Sequence, residues 1–315
     1  MVMSAIDSSQ RMIGGSKMFV QVELHNTDKE TGFFKDMGIE NVGVGTAIAG
    51  SVDSLSLVVE NYNILGYVGN NELLGFKKKI ETEGLALRSL TAHSWDWVDR
   101  VAGIEIDEKE VENLCRTIDS MGKAKVETLI MPCSRKPLSS LSLTGKDDFR
   151  RRVVQIYREI SKVAERSGVR ICTHTSFMPD IMIHDYKTLD HFLEETGSKA
   201  NGLLFCIGSI SLAGYKIDDF IERYHDAIYA VHVKNVTGDW EENIIYSQKH
   251  NKHREVRFDA GQVDIPSAIS LLASYGYEGG LTPEHFPPID QDEELGLSWA
   301  VAYIKGICDS IQRKR

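Results

Sequence analysis

Eight short apolar runs, each followed by a longer amphipathic segment, predict an α/β fold, a single (β/α)8 TIM barrel. Two observations favour closure. The spacing between runs supplies the crossover of a dozen residues or more that parallel strands require. The 315 residues also accommodate one barrel of about 250 residues, although two smaller domains would fit the same length. An open doubly wound sheet is the structural alternative. It is disfavoured because no GxGxxG turn follows the first run.

Strands are expected at residues 18–24, 41–44, 86–91, 128–131, 169–173, 202–207, 227–233 and 279–282. Most are rich in aliphatic or β-branched side chains and have turn residues nearby. Between them, residues 72–82 read ELLGFKKKIET, with Gly84 as the C-cap. Residues 107–121 place Val111, Leu114, Cys115 and Ile118 on one helical face. Their acidic start suits the positive end of a helix dipole, and Gly122 marks the stop. Residues 147–167 form a helix closed by Gly168, and helices at 266–275 and 295–311 complete the chain. The charged, histidine-containing stretch between Gly238 and Gln262 is expected to be a long loop. His250 and His253 lie within it, on a lid or on a plain charged surface. Residues 18–315 are assigned to the catalytic barrel. Residues 1–17 are polar and Ser/Gly-rich with no apolar core, and are expected to be a leader rather than a secretory signal.

The formal net charge of -10 argues against a nucleic-acid partner, which needs basic patches to displace counterions. It leaves an anionic substrate open, because a bound metal supplies positive charge locally. The basic run Lys77-Lys78-Lys79 is expected on a solvated helix face. Five cysteines without a CxxC pair make a disulfide framework unexpected and point to a reducing compartment, hence the cytoplasm. No apolar run reaches the roughly 18 residues of a membrane helix, so no membrane partner is expected. A homo-oligomer that acts on a small molecule is expected.

Chemistry-bearing residues cluster where strands end. His174 follows the fifth run, Cys206 the sixth and His232 the seventh, and Glu284 and His285 follow the eighth. Taken singly, each has a plain structural reading. A lone cysteine in an apolar strand is a small core residue, a histidine in a VHV context is a core histidine, and a carboxylate at a strand end is a surface group. Taken jointly, they fall at the C-terminal ends of four successive strands. A barrel opens all those ends onto one active-site face. Imidazole, thiolate and carboxylate are competent metal ligands, and three or four of them leave room for substrate.

Several segments resemble the mannonate dehydratase family, whose members are xylose isomerase-like TIM barrels. SKANGLLFCIGS at 198–209 is similar to that family's ANGLTFCTGS, and VHVKNVTG at 231–238 to its VHFRNVxG. GQVDI at 261–265 is similar to GDVDM, TPEH at 282–285 sits where the family has RPDH, and YIKG at 303–306 repeats a segment of its last helix. The resemblance implies a divalent metal, manganese first, held by His174, Cys206, His232 and Glu284, with glutamate replacing the family's aspartate. Ligand chemistry alone equally suits Zn2+ or Fe2+, and Co2+ is also compatible.

The sequence departs from the family at three places. HTSFMP at 174–179 replaces HPDDPP and loses two acidic residues. Thr282 stands where the arginine of RPDH would pair with a substrate carboxylate. The family's catalytic tyrosine has no match in ELGL at 294–297. The implied reaction is dehydration of a sugar acid, as in D-mannonate to 2-keto-3-deoxygluconate and water. His285 is expected as the general acid/base, or else as the histidine that orients Glu284. The alternatives are a metal-dependent sugar isomerase or epimerase on the same barrel and a barrel that binds sugar without turnover. Other candidates for substrate contact near strand ends are His25, His93, Asp96 and Arg135, of which Arg135 could grip a carboxylate in bidentate fashion.

Overall fold

In the computed structural model, which describes residues 18–24, 27–45, 68–91, 97–132, 134–250 and 254–313, eight parallel strands close into a barrel. They are β1 (Phe19–Leu24), β2 (Asn41–Gly45), β3 (Ala86–Thr91), β4 (Thr128–Met131), β5 (Arg170–Thr175), β6 (Asn201–Cys206), β7 (Ile228–Val233) and β8 (Gly280–Pro283). Each strand pairs with its neighbours in sequence, and β8 closes onto β1. The helices are α1 (Thr27–Asp36), α2 (Asn70–Thr82), α3 (Trp97–Val101), α4 (Glu108–Ala124), α5 (Leu143–Ser167), α6 (Tyr186–Thr196), α7 (Ile207–Leu212), α8 (Ile217–Tyr224), α9 (Trp240–His250), α10 (Ile265–Ser274) and α11 (Glu293–Arg313). No described helix is long and apolar enough to cross a membrane.

The two-residue period of a strand separates two cores. Ile171, Leu203, Phe205, Val231, Val233 and Leu281 belong to the large core. The alternate residues Ile130, Cys172, Leu204 and Ala230 form a small separate cluster, the inward layer that fills a barrel of this size. Continuing that parity toward the C-terminal ends puts His174, Cys206, His232 and Lys234 on the inward face of β5, β6 and β7. Apolar filling below and polar side chains above therefore follow from one alternation.

The helices pack as their caps dictate. Asp107 accepts from Glu110 N to start α4, Asp264 accepts from Ser267 N to start α10, and Gly168 ends α5 at φ 68°. Lys305 Nζ donates to Gly38 O at 2.8 Å and Met37 O at 3.3 Å, joining α11 to the end of α1. That contact gives the YIKG segment a structural role.

Several expectations are corrected. Gly122 does not stop α4, which runs to Ala124 and is capped by Lys125 at φ 55°. A Cβ at Gly122 would lie 2.4 Å from Ser167 O, so glycine there permits close approach of the α4 and α5 segments. Strand β6 begins and ends one residue earlier than expected, and Ile207 opens α7. The stretch after Gly238 is not a long loop. It contains α9 and the strand Glu255–Val256, which pairs antiparallel with Asn235–Val236 just before it. Asp239 accepts from Glu242 N at the start of α9 at 2.9 Å. The density of charge in that stretch hid an acidic-start helix.

Candidate metal centre

The inward parity and the shared C-terminal face bring His174, Cys206, His232 and Glu284 together. One ligand atom from each lies within 4.8 Å of the others. Three of the four are buried, with exposures of 4% for His174, 0% for Cys206 and 5% for His232. Cys206 and His232 are register neighbours across β6 and β7. Glu284 is fixed just beyond β8 by its backbone N–H, which donates to Val233 O at 3.0 Å.

Glu284 is the hub. Its Oε2 lies 3.3 Å from Cys206 Sγ and 3.1 Å from Lys234 Nζ. Its Oε1 lies 3.2 Å from His232 Nδ1 and 3.3 Å from His285 Nε2. The His232–Glu284 approach is off hydrogen-bond geometry, and neither ring nitrogen of this buried histidine has a hydrogen-bond partner among the described residues. A buried imidazole orphaned at both nitrogens beside a thiol and a carboxylate fits a cation-binding donor set, because buried polar atoms are otherwise paired. The Cys206 sulfur also lies 3.0 Å from Ser209 Oγ on α7, a contact of the kind that orients a ligand.

The electrostatics agree with that fit. Burial pushes the His174 imidazole well below its ordinary value, so it is neutral and competent to ligate. Burial alone would raise Glu284, but the His232 and Lys234 charges override it and hold the carboxyl well below its ordinary range. Burial would lower His232, yet the Glu284 charge and the Cys206 sulfur push it up to about 10. A cation bound there would displace that proton. Burial would likewise lower Lys234, but Cys206 and Glu284 hold it charged.

Lys234 was not among the residues singled out from sequence. Its signal was present, since it stands two residues after His232 and so shares its inward parity. Gly208 on α7 makes room for it: a Cβ there would lie 2.6 Å from Lys234 Cγ. The next residue, Asn235, faces a different task. Its amide donates to Phe258 O at 2.8 Å and Val263 O at 2.9 Å and accepts from Val263 N at 3.0 Å. Two segments of the resemblance, VHVKN and GQVDI, are therefore in direct contact.

His285 takes a left-handed conformation at φ 50°, sparse for a residue with a Cβ, and its side chain is 48% exposed. It reaches from Glu284 toward the open face. Arg135 is exposed at the end of β4, and its charge contributes to lowering His174. Its backbone N–H donates to Asp99 Oδ2 at 3.1 Å, which anchors that turn. His25, His93, Asp96 and His253 lie outside the described residues, as does the side chain of His250. Thr282 pairs in register with His232 and is buried within β8. The HTSFMP segment is anchored by Phe177, at φ 48°, which packs edge-on against Tyr186, Tyr215 and Phe220. An aromatic anchor thus replaces the family's acidic pair. Trp240 Nε1 on α9 donates to Ser176 O at 3.0 Å, tying α9 to the turn that follows His174.

A parallel eight-stranded barrel with convergent His, Cys, His and Glu side chains at its C-terminal mouth defines a class of (β/α)8 proteins built around a polar strand-end site. Residues 52–306 match the xylose isomerase-like TIM barrel family, and the chain belongs to it. The chain is 27% identical over 175 residues to a mannonate dehydratase of Rhizobium meliloti (strain 1021), covering 53% of this chain and 42% of that protein. It is 30% identical over 142 residues to one of Streptococcus equi subsp. zooepidemicus, covering 41% and 35% respectively. Each match spans less than half the relative's length. Among solved structures, a mannonate dehydratase from Streptococcus suis serotype 2 aligns over 95% of both chains with a TM-score of 0.74 at 17% identity. An L-ribulose 3-epimerase aligns over 94% of this chain and 97% of that one, with a TM-score of 0.65 at 14% identity. At these identities the structural likeness establishes the fold.

Proposed function

We propose that this protein is a metal-dependent hydro-lyase that removes water from a sugar acid of the mannonate type. The observation that carries the proposal is the four-donor cluster at the barrel mouth, with a charged lysine and a half-exposed histidine on its Glu284. The motif resemblance and the mannonate dehydratase relatives support the choice of reaction. His174, Cys206, His232 and Glu284 would hold one divalent ion, with Mn2+ favoured by the resemblance. When bound, such an ion supplies Lewis acidity toward the substrate carboxylate and its neighbouring hydroxyl.

The chain's own groups do the rest. Loss of water requires removal of the proton beside the carboxylate and protonation of the departing hydroxyl. His285, with Nε2 3.3 Å from Glu284 Oε1 and its side chain half-exposed, would move the proton at that position. Lys234 and Glu284 hold one another, so the carboxylate stays anionic and fixed. The buried aromatic anchor at Phe177 keeps the turn after His174 in one conformation. Thr282 in place of the family's arginine favours a second reading, isomerisation or epimerisation of a neutral sugar.

Incubating the Mn2+-loaded protein with a panel of aldonates and ketoses separates the two. A 2-keto-3-deoxy acid from an aldonate is the expected product. An isomeric sugar from a ketose, with no product from any aldonate, would replace the dehydratase reading with the second one.

A further inference from the structure

We infer that Lys234 is the residue that makes this site select a carboxylate-bearing substrate over a neutral sugar. The inference rests on the reading of the cluster as a divalent-metal site for a sugar acid. Its basis is a charge count. The four proposed ligands are two imidazoles, one thiol and one carboxyl. As neutral imidazoles, thiolate and carboxylate they carry two negative charges, which cancel the two positive charges of a divalent ion. A site built of those groups alone has no surplus charge with which to hold a substrate anion in a buried environment. Lys234 supplies that surplus. It is buried, its Nζ lies 3.1 Å from Glu284 Oε2, and Gly208 leaves room for its stem.

One contact does not exhaust the Lys234 ammonium. An ammonium group has three N–H donors, and the contact with Glu284 uses one of them. A carboxylate entering from the open face can take another. Thr282 offers no charge in exchange for the arginine of RPDH, so Lys234, which stands where VHFRN has an arginine, is the cation left on the inward face just beyond β7. Arg135 is a weaker candidate, being exposed on the turn after β4, where charges are screened by solvent. A neutral sugar would gain less from Lys234, because its hydroxyls accept a charge-assisted hydrogen bond but carry no charge to pair with the ammonium.

The test compares binding of D-mannonate with binding of D-mannitol, which replaces the carboxylate by CH2OH on the same skeleton. Calorimetry on Mn2+-loaded wild type should show a clear preference for the aldonate. Lys234→Met should weaken aldonate binding by about 30-fold or more, the usual result of removing one partner of a buried charge pair. With each protein saturated in Mn2+, because the variant also loosens Glu284, mannitol binding should fall far less than aldonate binding, and Lys234→Arg should restore most of the preference. If Lys234→Met fails to fold by circular dichroism, Lys234→Gln takes its place in the same comparison. A neutral variant that keeps the wild-type preference overturns the role of Lys234 and leaves the sugar-acid reading standing. A wild type that binds the two compounds alike, or binds neither, overturns both.

Discussion

Cys206→Ser is expected to lose bound metal and activity together. Serine is nearly isosteric, but its hydroxyl is not ionised near neutral pH and it lacks the softness of a thiolate. Removing a group that merely supports a ligand costs about 10–100-fold in metal affinity, so loss of the ligand itself should cost about 100-fold or more. Cys206 is wholly buried at the last residue of β6, between Ser209 Oγ at 3.0 Å and Glu284 Oε2 at 3.3 Å. A core cysteine would behave differently, with a change in thermal stability and no change in metal content. Elemental analysis of the variant beside wild type decides between these, and unchanged metal occupancy would return Cys206 to the core.

His285→Asn should leave the metal bound and lower turnover by about 10²–10⁴, the range for loss of a general acid or base. The left-handed backbone at φ 50° and the half-exposed side chain are the structural reasons. A purely supporting histidine would be expected to sit buried, whereas this one faces the mouth. Its contact with Glu284 Oε1 at 3.3 Å nonetheless gives it a path to the ligand set. Should it act only by orienting Glu284, the same variant would lose metal affinity by about 10–100-fold. Measuring metal content and turnover on one preparation separates the roles, and a variant normal in both would assign the proton transfer elsewhere.

Much of the barrel was legible because its strands are bounded by turn residues and its longest helices carry one apolar face. The four candidate ligands could be found because strand parity and strand-end position coincide in them. Helices α1, α3, α6, α7, α8 and α9 were not expected, and three of them show why. Helices α7 and α8 are short, with 6 and 8 residues, and α7 begins inside an apolar run that reads on from β6. Helix α9 is dominated by charged and polar side chains, so its apolar stripe is faint. Lys234 escaped for another reason. A lysine after a strand is usually solvated, and only the closure of the barrel turns its parity into burial beside Glu284. The HTSFMP segment read as a loss of acidic residues. The aromatic cluster that receives Phe177 is assembled from Tyr186, Tyr215 and Phe220 on separate elements, which no local pattern reveals.

If one divalent ion is held at the barrel mouth by a set that includes the Cys206 thiolate, Co2+ should report it. Titration with Co2+ is followed by the thiolate-to-metal charge-transfer absorption, a band that registers the metal and its sulfur ligand at once. The band is expected to saturate at one equivalent of Co2+ per chain and to be absent from Cys206→Ser. No such band in the wild type, or a band that persists undiminished in Cys206→Ser, would contradict it.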